Sequence, residues 1–200
     1  DLATLLTPAR EGRVDGVVLF LSGSREQRAQ HVARLRGIVD LPTVLLQEHG
    51  VDGEHAATIL ADDRRGSRDL CRHLIRRGHR RLAYLTAADS WSAIDERIAG
   101  FHDAHEEAGI RPMPRAIVRH GSYSPLDHSE AAAAILRARN RPTAVLCGND
   151  LVALGVLKAA RELGLAVPDD VAVAGFDDFE FAAAVDPPLT TVAIPGYEMG

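Results

Sequence analysis

The sequence predicts an α/β fold built on parallel sheets, and three observations carry that expectation. Short apolar runs alternate almost without exception with longer amphipathic stretches, the signature of βαβ units. The order helix, glycine, strand recurs as HLIRRGHRRLAYLT and again as KAARELGLAVPDDVAVAGF, as expected when successive units wind onto one sheet. The chain has 200 residues, 46% hydrophobic and 26% charged, which excludes a disordered chain and leaves room for one large domain or two small lobes.

Taken in order, residues 17–21 (VVLFL) follow the turn Val14-Asp15-Gly16 and contain no polar position, so they read as a strand buried on both faces. A helix over 25–36 ends at Gly37, Pro42 introduces a strand over 43–46, and 58–61 is extended. Asp62 and Asp63 precede a helix that carries Leu70, Leu74 and Ile75 on one face and stops at Gly78. Its acidic start and the basic Arg76, Arg77, Arg80 and Arg81 at its end both suit the helix dipole, which accounts for the RRGHRR cluster without nucleic acid. A strand over 82–86 leads through 87–91 into a helix over 93–108, stopped by Gly109. Strand 116–118, helix 125–138, strand 144–147, helix 151–163 with Gly164 as its stop, and strand 171–176 follow. A short segment over 179–185 precedes Pro187-Pro188, and 189–194 is extended. Residues 62–191 thus read as a complete lobe, 1–61 as part of a second lobe, and 192–200 as a crossover back to it.

Composition narrows the function. Net charge is −5, and Lys158 is the only lysine among basic residues scattered between 28 acidic ones, so the chain lacks a nucleic-acid footprint. No apolar run has the length of a membrane span, and DLATLLTPAREG has neither the basic start nor the apolar core of a secretory signal. Cys71 and Cys147 lie far apart without CxxC spacing and read as buried thiols in a reducing cytoplasm. His102 and His105 form an H-x-x-H pair with Glu106 nearby, but no further ligand is signposted, so no metal is expected and the pair reads as an ordinary exposed helix face. Neither GxGxxG nor GxxxxGK[ST] occurs, so no cofactor is expected. Ser22, Ser24 and Ser90 lie near strand ends but outside any G-x-S-x-G, so no catalytic residue is assigned and an enzyme reading is left without a nucleophile.

Two polar positions stand out. In an open parallel sheet, ligands sit beyond the carboxyl ends of strands, and Asn149 and Asp177 directly follow the strands 144–147 and 171–176. Both Asn149 and Asp150 could instead cap the next helix, and for Asp150 capping is the expected role. Asp178 reads as a turn residue.

The phrases GHRRLAYL, DERIAGF, PTAVLCGND, VPDDVAVAGFDD and DPPLTTV, in that order and at these intervals, resemble the effector-binding module of the lactose-repressor (LacI/GalR) family of transcriptional regulators. The resemblance spans essentially the whole chain and implies a periplasmic-binding-protein-like (type I) fold, two doubly wound parallel-sheet lobes with a ligand cleft between them. It implies a small-molecule effector, a carbohydrate above all, a homodimer in the cytoplasm with no membrane contact, and operator DNA bound through a helix-turn-helix domain that this chain lacks. Relative to the family pattern the module is truncated at both ends.

The resemblance also marks the effector contacts. Arg97 matches the arginine of the family's R-[LI]-A-G phrase, where a guanidinium fork can hold vicinal hydroxyls or a carboxylate. A salt bridge on the helix surface is its structural alternative. Asp177 matches the aspartate after G-[FY], and Asn149 the asparagine of the ND pair. Tyr123 falls where an aromatic packs on a ring, core packing being the alternative. Trp91 lies in a loop that lines or gates the ligand, or anchors the lobe. Gln47 follows strand 43–46 where the other lobe supplies a polar contact. On this basis Arg97→Ala and Asp177→Ala are each expected to weaken effector binding by roughly 1.5–3 kcal/mol and leave the fold nearly intact. A periplasmic sugar-binding protein of a transport system is the alternative function, and an α/β enzyme a third.

Overall fold

The computed structural model describes residues 7–35, 41–48, 54–88 and 91–200. The chain divides into two compact units, Asp1–Ala61 with Trp91–Ala93 and Tyr197–Gly200, and Asp62–Ser90 with Ile94–Gly196. The expected stop at Gly37, the segment 1–6 and Ser90 lie outside the described residues.

The first unit carries the short helix α1 (Thr7–Arg10), strand β1 (Val17–Phe20), helix α2 (Arg25–Leu35), and strands β2 (Thr43–Leu46) and β3 (Ala56–Ile59). The strands pair in parallel in the order β1-β2-β3. α2 opens with a reciprocal cap: Ser24 Oγ accepts from Gln27 N at 3.2 Å, and Gln27 Oε1 accepts from Ser24 N at 2.8 Å. Leu21, Val32, Leu35 and Leu45 form its core, with Val17, Leu19 and Ala56 packed on them. The expectation that β1 is buried on both faces is corrected, because Val18 and Phe20 are 68% and 56% exposed. A strand sends successive side chains to opposite faces, and only the face carrying Val17 and Leu19 joins the core that α2 supplies.

The second unit alternates helix and strand: α3 (Asp63–Arg76), β4 (Leu82–Thr86), α4 (Ser92–Glu107, of this unit from Ile94 onward), β5 (Ile117–Arg119), α5 (Pro125–Leu136), β6 (Ala144–Cys147), α6 (Asp150–Glu162) and β7 (Ala172–Ala174). Its sheet is parallel throughout, in the order β5-β4-β6-β7. Residues 189–194 extend it through parallel bridges from Ala174 to Thr190 and from Asp177 to Ala193. A 3₁₀ turn, Glu180–Ala183, lies between, and a last helical turn α7 spans Gly196–Met199. Every residue of β4, β6 and β7 is buried, since helices cover both faces. Leu70, Leu74, Tyr84, Phe101 and Leu146 fill the α3 and α4 side, and Val145, Cys147, Val152, Val156 and Leu136 the α5 and α6 side.

Both thiols are free and buried, and burial pushes Cys71 up to about 12. Arg80 Nη1 donates to the Ile75 carbonyl at 2.8 Å, so part of the basic cluster closes the α3 C-terminus. The exposed-face reading holds for His102 but is corrected for His105, which is 1% exposed and hydrogen-bonded through Nδ1 to the Phe101 carbonyl at 2.8 Å. Three residues of spacing leave the two histidines about 60° apart around the helix, and His105, at i+4 from Phe101, falls on the core face with Phe101 and Ala104 while His102 stays at its exposed edge.

Candidate functional site

α3 and α4 cross so closely at Gly100 that a Cβ there would lie 2.1 Å from the Arg64 carbonyl and 2.8 Å from Arg68 N. That approach brings the first turn of α3 beside the first half of α4. Asp62 caps α3 by accepting from Arg65 N, which frees Asp63 to turn inward. Asp63 Oδ1 accepts from Arg97 Nε at 2.7 Å, with both side chains almost fully buried. Arg97 Nη1 donates to the Gly148 carbonyl at 2.6 Å, Nη2 stands 3.1 Å from Asp177 Oδ1, and the guanidinium stacks 3.7 Å from the Phe176 ring centre. The surface salt bridge considered for Arg97 is therefore excluded by burial, and the guanidinium is the hub where the ends of β6 and β7 meet α3 and α4.

The electrostatics follow from one cation serving two carboxylates. Burial works against the Arg97 charge, but Asp177 and Asp63 together more than offset it and raise its pKa. Each carboxylate gets only a share of Arg97 in return. Burial raises Asp63, with Asp62 and Glu96 adding to it, and burial raises Asp177, with Asp150 adding to it. The Asp177–Arg97 contact is an ion pair without hydrogen-bond alignment, so Asp177 Oδ1 is a buried acceptor without a hydrogen-bond partner among the described residues.

The turn after β7 fixes where this side chain stands. Asp177 has φ 97° and Asp178 φ 56°; the second lies in the left-handed well that aspartate tolerates in turns, while the first lies beyond it and is the strained position. Asp177 N donates to the Val192 carbonyl at 2.8 Å, and Asp178 N reaches Thr191 Oγ1 at 3.4 Å.

The expected capping role of Asp150 is corrected. Asn149 is the cap of α6, its Oδ1 accepting from Val152 N at 3.0 Å. Asp150, fully buried, instead accepts from Thr191 Oγ1 at 2.7 Å and from Phe179 N at 2.8 Å, while its own N–H donates to the Phe176 carbonyl. It fastens the strained turn to α6. A side chain at 175 would put a Cβ 2.0 Å from Asp150 Oδ1, so the approach requires Gly175. Since Oδ1 of Asn149 is spent on the cap, the Nδ2 donors are what that residue can offer a ligand.

Tyr123 is half-buried against the core under α5 and α6. Trp91 and Gln47 belong to the first unit. Trp91 packs on Phe20 with ring centres 4.5 Å apart and lies 5.7 Å from the Arg28 guanidinium, an anchoring arrangement. Gln47 has φ 57°, its carbonyl lies 3.5 Å from Ser92 Oγ, and its Oε1 is buried without a hydrogen-bond partner among the described residues. Of the six residues singled out, Arg97 and Asp177 are in direct contact, and Asn149 adjoins Gly148, whose carbonyl Arg97 holds.

Sequence reasoning missed Asp63, Phe176 and the Gly148 carbonyl as the partners of Arg97. The signal was the Asp62-Asp63 doublet, one acid more than a cap needs. Among the described residues no group of three or more metal-ligating side chains occurs, and no helix is long and apolar enough to cross a membrane.

Residues 71–200 match the family model described as periplasmic binding protein-like domain. The chain is 32% identical over 190 residues to the HTH-type transcriptional repressor PurR of Aliivibrio salmonicida, covering 95% of this chain and 56% of that protein. It is 39% identical over 142 residues to the HTH-type transcriptional regulator DegA of Bacillus subtilis, covering 71% of this chain and 42% of that one. The chain thus spans about half the length of the curated relatives it matches. Among solved structures, a LacI-family regulatory protein from Chloroflexus aggregans aligns with a TM-score of 0.85 at 29% identity, covering all of this chain and 69% of that one. A sugar-binding LacI-family transcriptional regulator from Escherichia coli, complexed with phosphate, aligns with a TM-score of 0.82 at 28% identity, covering 98% and 68%.

Proposed function

The chain belongs to the periplasmic binding protein-like family in the company of LacI-family transcriptional regulators, and from that premise we propose that it is the effector-sensing part of such a regulator. The observation that carries the reading is the Arg97 hub. Arg97 and Asp177 meet beyond the carboxyl ends of β6 and β7, where open parallel sheets take their ligands, and a strained turn holds Asp177 there. A small polar effector, a sugar by the chemistry of the groups, accepts hydrogen bonds from Arg97 and from Asn149 Nδ2 and donates to Asp177. Tyr123, half-buried beside α5 and α6 in the same unit, supplies an apolar flank.

The effector changes operator affinity by favouring one arrangement of the regulator over another, a coupling of ~1–3 kcal/mol in typical allosteric proteins. The operator is held by a helix-turn-helix part beyond this chain, in a cytoplasmic homodimer. Relatives named as an HTH-type transcriptional repressor and an HTH-type transcriptional regulator, to which the chain aligns over part of their length, support the helix-turn-helix part, and they favour a regulator over a transport protein or an enzyme. Calorimetric screening of sugars against the chain, repeated with Asp177→Asn, tests the site. A ligand should bind wild type and bind the variant at least about tenfold more weakly, the loss of a charge-assisted hydrogen bond. Equal affinity for the two proteins removes the site as drawn. In the intact regulator the same ligand should shift operator binding, and no shift would remove the sensing role.

A further inference from the structure

The Arg97 hub carries more negative than positive charge, and Asp63 makes the difference. Among the described residues the guanidinium faces two carboxylates, Asp63 at 2.7 Å and Asp177 at 3.1 Å, and Asp150 acts on Asp177 from behind. A free arginine fork is a bidentate site for a carboxylate or phosphate. Here the fork is already engaged and its charge balanced: Asp63 takes the single Nε donor, the Gly148 carbonyl one Nη1 donor, and Asp177 stands at Nη2, so the donors left for a ligand carry no uncompensated positive charge.

A second observation points the same way. The Tyr84 hydroxyl and Thr86 Oγ1, 1% and 0% exposed as residues, lie on one face of β4 without hydrogen-bond partners among the described residues. Tyr84 is close enough for the charges of Arg97 and Asp63 to act on its ionisation, and burial, the larger effect, keeps it a neutral phenol. The polar surroundings of the hub are therefore neutral hydroxyls, an amide and an acceptor-only carboxylate. These complement a group that donates and accepts at once.

We propose that Asp63 is a specificity-determining positioning residue: by holding Nε and neutralising Arg97 it sets the site for a neutral, hydroxyl-rich ligand and turns away carboxylates and phosphates. The inference rests on the reading of Arg97 and Asp177 as ligand-holding groups. An anion at the hub would meet two carboxylates for one guanidinium, and removing one unit charge at such range changes anion affinity by roughly tenfold or more.

The test compares wild type with Asp63→Asn, and with Asp63→Ser as a second variant should the first not fold. Inorganic phosphate is titrated at ionic strength matched with chloride, reading melting temperature, and D-glucose, D-gluconate and glucose 6-phosphate are titrated by calorimetry. Phosphate should leave wild type unmoved and stabilise the variant. Any sugar that binds should favour the neutral form by about tenfold or more in wild type, and that preference should shrink by about tenfold in the variant. Wild type stabilised by phosphate as strongly as the variant, a variant unmoved by phosphate, or wild-type preference for the gluconate or phosphate ester would each overturn the proposal. If no sugar binds while the phosphate responses divide as expected, the charge filter stands and the sugar reading falls.

Discussion

Asp177 combines a φ of 97° with a buried carboxylate whose pKa burial raises, so the backbone and the side chain both cost stability at one position. A carboxyl that titrates higher folded than unfolded binds more protons in the native state, so stability falls as pH rises from the ordinary carboxylate range through the raised folded value. Asp177→Asn should therefore be more stable than wild type near neutral pH, and that advantage should vanish as the pH is lowered through the carboxylate range. Urea melts at several pH values read this directly, and a variant less stable at neutral pH would contradict it. Arg97 behaves oppositely. Its truncation leaves Asp63 and Asp177 buried without their cation and strips the face of Phe176, so Arg97→Ala should cost about 3–5 kcal/mol. This revises the sequence expectation that the fold would survive nearly intact. Denaturant unfolding of the variant is the measurement, and a loss below about 1 kcal/mol would restore the earlier view.

The elements were largely legible because their signals are local. Leu70, Leu74 and Ile75 fall on one face of α3 by their spacing, and the glycines at 78, 109 and 164 take positive φ just beyond α3, α4 and α6. Edges moved where a distant contact decides them. β7 ends at Ala174, before the positive-φ turn that Asp150 and Thr191 hold, although the apolar run continues to Phe176. Which of Asn149 and Asp150 caps α6 was equally illegible, since both side chains can cap and only Thr191 and Phe179 claim the second. The α3–α4 crossing yields an element-scale prediction. A methyl group at 100 meets backbone on α3, which cannot rotate away, so Gly100→Ala should destabilise by about 2 kcal/mol or more. It should also weaken ligand binding by separating Asp63 from Arg97. Thermal unfolding and calorimetry on the variant check the two effects together.

At the scale of the molecule, an effector that binds the folded chain stabilises it by mass action. Ligand at about 100 times its dissociation constant should add ~2.7 kcal/mol, which for a chain of this size is a rise of several degrees in melting temperature. Asp177→Asn should show a smaller rise at the same concentration although it starts from the higher melting temperature, a separation that simple loss of folding would not produce. Scanning calorimetry with and without ligand distinguishes the two.

The sequence by itself determined the α/β class, the alternation of helices and strands and the family, because alternating periods, terminating glycines and ordered motifs are properties of neighbouring residues. Only the tertiary structure decided that β1 presents Val18 and Phe20 to solvent, that His105 turns inward, and that Arg97 is buried against Asp63, Gly148, Asp177 and Phe176. These depend on which side chains meet across α3, α4 and the ends of β6 and β7. Burial and charge balance are set by those meetings, and no local pattern records them.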